Sequence, residues 1–317
     1  MNPGLTCVAL DFDGTCASGA GAAPPGSRVL DMTDLGPSLR LRTSRREAAA
    51  ATERFVAAHK MIPGPWLTFI GTGDYHHVSL MLLEAMTLIS PVTVIVIDNH
   101  PDWAVLPPRY HCGNWVSGAL GLPSVEGVEL IGQDSSDLDW KAMYVAPMRE
   151  ISRGKLRISP LSRTGANMPL MWREGGPLRR EIWGTRASWL SMNAAGIQAT
   201  FERVATSLKG KDVYLSIDKD CLVAEDAATD WEPGGMGLSD VLAGVSVIAD
   251  RCRIVGADVC GDKSAAELSG FIKRLDAGRS GAWTPPTHAE IELNRAANAA
   301  IAGVLRASTP PATGAGR

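Results

Sequence analysis

At 317 residues, 45% hydrophobic and 21% charged, the chain has the composition of a globular enzyme built as one large α/β domain or two small ones. A net charge of −3 without long runs of one sign gives no basis for a nucleic-acid surface. No apolar run reaches the roughly 18 residues of a membrane span, and no basic segment followed by an apolar stretch opens the chain. Six irregularly spaced cysteines (Cys7, Cys16, Cys112, Cys221, Cys252 and Cys260) match no zinc-ribbon pattern. They are expected as reduced thiols in a soluble, cytoplasmic protein.

In chain order, residues 5–11 form the first predicted strand, and the Gly/Ala/Pro/Ser-rich residues 17–27 a loop. Residues 44–58 are predicted helical, 66–70 a short buried strand, and 78–89 an apolar helix. Residues 92–97, Val-Thr-Val-Ile-Val-Ile, are a continuous β-branched run, as in sheets covered on both faces. Residues 132–193 mix Trp, Arg, Pro and Gly and are expected as a loop-rich insertion with one strand near 156–158. A helix over 197–208 follows, with Ile197, Phe201, Val204, Ala205 and Leu208 on one face. Then come a strand at 213–217, a Gly-rich turn (Gly234, Gly235, Gly237), a helix at 239–250, a strand at 253–257 and a last helix from about Thr287. The tail 308–317, rich in Pro, Gly and Thr, is expected to be disordered. Strands alternating with helices predict a mostly parallel sheet with helices on both faces, and ligands beyond the carboxyl ends of its strands.

Polar clusters stand at those ends. Asp98, His100 and Asp102 follow the strand at 92–97, Asp218 and Asp220 follow that at 213–217, and Asp74, His76 and His77 follow that at 66–70. Alternate residues of an extended chain point to the same side, so each cluster converges. A single such pair is ordinarily a turn or a cap. Three, each at a strand end, gather carboxylates that raise one another's pKa unless a multivalent cation is present. Asp and His without Cys favour a hard divalent metal such as Mn²⁺.

Gly73-Asp74-x-His76, Asp98-x-His100-x-Asp102 and Ser216-x-Asp218-x-Asp220 resemble the three signature motifs of the arginase–agmatinase (ureohydrolase) superfamily, in order. Gly234–Ser239 resembles its glycine turn and Ala257–Val259 its last active-site strand, so the resemblance covers residues 66–262. It implies a three-layer α/β/α sandwich over residues 1–307, with the insertion at 132–193. It further implies two Mn²⁺ ions, or other divalent metals, bridged by Asp98 and Asp218. One ion would add Asp102 and a histidine of the first motif; the other would add His100 and Asp220. An extra residue after Asp74 leaves His76 and His77 both as candidates, with His76 keeping the better spacing. The implied reaction is hydrolysis of a C–N bond in a guanidino or amidino small molecule by a metal-bridging hydroxide, releasing urea or a related product. Asp220 would help stabilise the tetrahedral intermediate. No nucleic-acid or membrane partner is expected, and homo-oligomerisation is left open.

The departures bear on the substrate. Val223-Ala224 replaces the family's Asp-Pro, and Gly261 stands where its substrate-gripping Glu is expected, with Asp262 adjacent as the candidate substitute. Val116 replaces the histidine after Asn114, which makes His111 the nearest candidate proton shuttle. Trp103, Tyr110, Trp115 and Trp231 are candidates to line an aromatic mouth. Arg109 is either a partner for a substrate carboxylate or an exposed arginine. Deacylation of an N-acyl amine is the alternative reaction, and a non-catalytic arginase-fold binding or regulatory module the alternative class. Leu10–Thr15 also resembles the first motif of haloacid-dehalogenase phosphatases, with Gly261-Asp262-Lys263 as its partner. That reading leaves the strand-end clusters unexplained, and an Asp-Gly turn accounts for Asp11–Thr15.

Overall fold

The computed structural model describes residues 4–86, 90–265 and 284–307. Thirteen strands are present among them: β1 (Thr6–Asp11), β2 (Arg28–Asp31), β3 (Arg42–Thr43), β4 (Trp66–Phe69), β5 (Val92–Ile97), β6 (Tyr110–His111), β7 (Val125–Ile131), β8 (Leu156–Ser159), β9 (Gly165–Met168), β10 (Leu178–Glu181), β11 (Gly184–Ser188), β12 (Asp212–Asp218) and β13 (Arg253–Cys260). Eight form one sheet in the order β2-β1-β4-β13-β12-β5-β7-β8, and every pairing in it is parallel.

The apolar run of β5 shows why the architecture has three layers. All six of its residues are buried. Val92, Val94 and Val96 pack into one core, and Ile95 and Ile97 into another on the opposite face. The first core takes Phe55 of the helix Arg45–Met61, Leu80 of the helix Val78–Ala85 and Trp115 of the helix Trp115–Leu120. The second takes Phe201 of the helix Ile197–Ser207, Val245 of the helix Leu238–Arg251 and Ile301 of the helix His288–Ala307. Helices thus cover both faces of a parallel sheet, as expected for this class.

Local signals set the helix starts. Ser44 and Glu47 form a reciprocal capping box at the entry to Arg45–Met61. The expected helix 78–89 runs over Val78–Ala85, with Met86 extended and residues 87–89 outside the described residues. The expected tail 308–317 also lies outside them.

The insertion differs from the expectation of long loops. The strand expected near 156–158 is β8, which joins the main sheet, but β9, β10 and β11 form a separate antiparallel sheet in the order β10-β11-β9. These strands are short and largely polar, with sequences such as Leu-Arg-Arg-Glu, so they carry little of the apolar alternation that marks a strand. β3 and β6 pair antiparallel and set Arg42 opposite His111.

Candidate metal centre

The chain order of the sheet reverses between β12 and β5, the place where open parallel sheets bind ligands. β4, β13, β12 and β5 are neighbours there, and their carboxyl ends deliver the candidate ligands. After β4, a 3-10 turn over Gly73–Tyr75, begun by the Thr72 hydroxyl accepting from the Asp74 amide, hands the chain to His76. β5 ends at Asp98. Asp102 takes a positive φ of 44°, an uncommon conformation for a residue with a side chain. Its carboxylate accepts from the indole N–H of buried Trp115 at 3.0 Å. β12 ends at Asp218, whose carboxylate accepts from the Asp220 amide at 2.9 Å, beginning the 3-10 turn Lys219–Cys221.

His76 Nδ1 lies 2.9 Å from Asp102 Oδ2, 3.3 Å from Asp98 Oδ2 and 3.4 Å from Asp218 Oδ2. His100 Nδ1 lies 2.8 Å from Asp220 Oδ2 and 3.9 Å from Asp98 Oδ1. Two groups able to hold a cation result, His76/Asp98/Asp102 and Asp98/His100/Asp220, and Asp98 belongs to both. A third joins His76, Asp218 and Cys260. His77 is buried but belongs to none of these groups.

A buried chain of hydrogen bonds orients His76. Tyr214 and Ser216 donate to the Asp258 carboxylate at 2.6 and 2.7 Å, and Ser216 Oγ lies 2.9 Å from His76 Nε2. The Ser216 proton is committed to Asp258, so its oxygen accepts from Nε2–H and Nδ1 is left to face the carboxylates. The sequence reading missed this role of Asp258 because β13 had to be placed beside β12 before it could be seen.

The charges show what the site requires. Burial, with Asp220 and Asp102 adding to it, holds the Asp98 carboxyl well above the usual range. Burial and then Asp220 push Asp218 up to about 7. Burial alone would lower the His76 ring, but Cys260, Asp102 and Asp98 outweigh it and hold the ring well above its ordinary value. His100 is held up likewise by Asp220 against the effect of burial. Only Asp220 moves the other way, drawn down by His100 despite its burial. Protons thus occupy a place that calls for positive charge, and Asp98 Oδ2 has no hydrogen-bond partner among the described residues. The oxygen- and nitrogen-rich donor set fits divalent cations.

A stability consequence follows. Asp98 and Asp218 favour the folded metal-free protein while protonated, and that contribution is lost as pH rises from about 4 through the folded value of about 7 for Asp218. His76 and His100, raised above 6.5, lose theirs in the same direction at higher pH. Asp220 acts only below the ordinary carboxylate range. The melting temperature of metal-free protein is therefore expected to fall between pH 5 and 8, and a divalent metal to reverse most of that fall at pH 8. A metal-free melting temperature that rises over this range would contradict it.

The cleft above these groups has a volume of about 540 Å³ and is lined in part by Arg42, Trp103, His111, Asn114 and Trp231. His111 Nδ1 accepts the Gly113 amide at 3.0 Å, which leaves the ring proton on Nε2. Trp231 donates to Asp74 at 3.1 Å, and Asp74 also pairs with Arg40 at 2.8 Å. Asp74 is thus engaged away from the ligand groups. Of the four aromatic candidates, Trp103 and Trp231 line the cleft, Trp115 lies buried under Asp102, and Tyr110 bonds Glu84. Arg109 also pairs with Glu84, at 3.0 Å, rather than facing the cleft.

Asp262 differs from its expected role. It is buried in an ion pair with Lys219, accepts from Asn298, and does not line the cleft. Gly261 explains why no acid stands at the expected position. Its φ is +91°, and a Cβ there would lie 2.3 Å from Asp218 Oδ1, so a larger residue would push into the cluster. At the N-terminal loop, the Asp11 carboxylate accepts from the Gly14 and Cys16 amides, which makes it a turn former rather than an exposed nucleophile.

The profile of the Arginase family matches residues 181–261, the stretch that carries Asp218, Asp220 and the glycine turn. The chain has an arginase-like fold, and its residues 181–261 are similar to the Arginase family. This arginase-like chain is similar in structure to proclavaminate amidino hydrolase from Streptomyces clavuligerus, at 16% identity and a TM-score of 0.56, over 97% of this chain and 93% of that one. It is also similar to formimidoylglutamase from Bacillus subtilis, at 13% and 0.55, over 98% and 89%. A hypothetical agmatinase from Burkholderia thailandensis matches at 19% and 0.51, over 83% of this chain and 65% of that one. Comparison by sequence with curated proteins gives no match. Among the described residues, no helix is long and apolar enough to cross a membrane.

Proposed function

We propose that this chain is a dinuclear-metal hydrolase that cleaves a C–N bond in a guanidino or amidino compound and releases urea or a related product. The observation that carries this reading is the pair of ligand groups sharing Asp98, at the switch point of an arginase-like sheet. The ligands would be His76, Asp98, Asp102 and Asp218 on one side, and Asp98, His100, Asp218 and Asp220 on the other. Divalent cations held there would acidify a water and polarise the planar carbon's substituents.

The chain's own groups do the rest. Asp220, paired with His100 and accepting from the Asn99 amide at 3.1 Å, is fixed before substrate arrives. Trp103 and Trp231 wall the reacting end and keep bulk water out. His111, with its ring proton on Nε2, stands on the cleft wall as a hydrogen-bond donor to the departing amine. His77 and Asp262 carry no step in this scheme.

The test is a screen of Mn²⁺-loaded protein, with metal content measured, against guanidines, amidines and N-acyl amines. Urea or ammonia release from members of the first two groups, lost on chelation, is the expected result. Turnover confined to acyl amines would replace the reaction, and inert protein with a full metal complement would overturn the enzyme reading.

A further inference from the structure

β12 and β13 pair in parallel with Asp218 directly opposite Cys260. Register partners in a parallel sheet point to the same face, so the thiol is carried to the side that bears Asp218 and His76. Cys260 is fully buried, and its Sγ lies 3.2 Å from Asp218 Oδ2. Sγ, an Asp218 oxygen and a His76 ring nitrogen all lie within 4.8 Å of one another.

The thiol is not isolated in an apolar core. Asp98 Oδ2, equally buried and without a hydrogen-bond partner among the described residues, is 3.3 Å from the same His76 Nδ1. His76 Nε2 is held by Ser216, so Nδ1 is directed into the space that Asp98, Asp102 and Asp218 surround. The Asp and His donors surround that space, and the Cys260 thiol opens onto it beside them.

We propose that Cys260 is a thiolate ligand of the cation on the His76 side, which turns an oxygen- and nitrogen-rich position into one selective for a borderline-soft divalent metal such as Fe²⁺, Co²⁺ or Zn²⁺. On binding, a metal–sulfur bond forms and the thiol proton, which Sγ–H otherwise directs at Asp218, is released to water. Soft thiolate donors discriminate against Mn²⁺, so Mn²⁺ is the weaker occupant of this position. The inference rests on the dinuclear reading of the cluster.

The probe is Co²⁺, titrated into metal-free full-length protein and into the variants Cys260→Ser, Cys221→Ser and Cys112→Ser, with bound cobalt counted. Expected is a near-ultraviolet sulfur-to-cobalt charge-transfer band in the unaltered protein and in the Cys221 and Cys112 variants. Cys260→Ser should lose the band while retaining visible ligand-field absorption and at least one bound cobalt. Cd²⁺ affinity should fall by about 10-fold or more in Cys260→Ser, with a smaller change for Mn²⁺. Stoichiometric cobalt with no charge-transfer band in unaltered protein would overturn the thiolate ligand and leave the metal centre standing. No cobalt, manganese or cadmium bound to folded protein would overturn both.

Discussion

Replacing Asp98 by asparagine is expected to abolish metal-dependent turnover, with kcat/KM falling by more than about 10³-fold. A single preorganised electrostatic donor is worth up to about that factor, and Asp98 belongs to both hard-donor groups. Its loss weakens both cation positions together. The effect on folding should run the other way. In metal-free protein Asp98 is held well above the carboxylate range by burial and by Asp220 and Asp102, so its charge opposes folding. The Asp98→Asn protein should therefore melt at or above the temperature of the unaltered metal-free protein at pH 8, yet show little of the rise that divalent metal gives the parent. Calorimetry with and without metal, beside a turnover assay, reads both halves. Retained turnover would remove the dinuclear reading, whereas a low metal-free melting temperature would show that Asp98 holds the fold by contacts other than its charge.

The second large effect is predicted for the ion pair behind the site. Lys219 is fully buried, and its ammonium meets the Asp262 carboxylate, which also accepts from Asn298 Nδ2 at 3.3 Å. Lys219→Met leaves a buried acid unpaired and is expected to cost about 3–5 kcal/mol, the range for breaking such a pair from one side. Asp262→Leu should cost a similar amount, and the double variant should recover most of the loss because no stranded charge remains. Chemical denaturation of the four proteins completes the cycle. If the double variant is as unstable as the sum of the singles, the pair is not what couples these residues. The same variants address the role expected of Asp262 from its position beside Gly261. Asp262→Asn, which keeps a side chain able to bond Asn298, should lower stability while changing KM less than 3-fold, roughly the spread left by indirect effects. A large KM rise at unchanged stability would return Asp262 to the substrate.

The legible parts of the site were those whose signal is local. β5 announces its double burial through a continuous β-branched run, and the alternation Asp98, His100, Asp102 puts three donors on one side of the chain that leaves it. The motif after β4 was harder to read, because the extra residue after Asp74 leaves two histidines one position apart and spacing alone separates them weakly. The structure places His76 among the carboxylates through the 3-10 turn at Gly73–Tyr75 and the Ser216–Asp258 hydrogen bonds, and both depend on strands distant in sequence. The insertion was misjudged as loops because β9, β10 and β11 gain their order from one another rather than from a buried apolar face.

The sequence by itself determined the class of the fold and which Asp and His residues stand at strand ends, since helix and strand periodicity and strand-end clusters are properties of a few consecutive residues. Tertiary structure alone decided which side chains meet across strands. The register that sets Cys260 beside Asp218, the positive φ that leaves no room for an acid at Gly261, and the withdrawal of Asp262 into a pair with Lys219 all arise there. Each depends on the pairing of β12 with β13, between segments some forty residues apart. That pairing lies in a sheet covered by apolar cores on both faces, and it joins residues that no short stretch of sequence brings together.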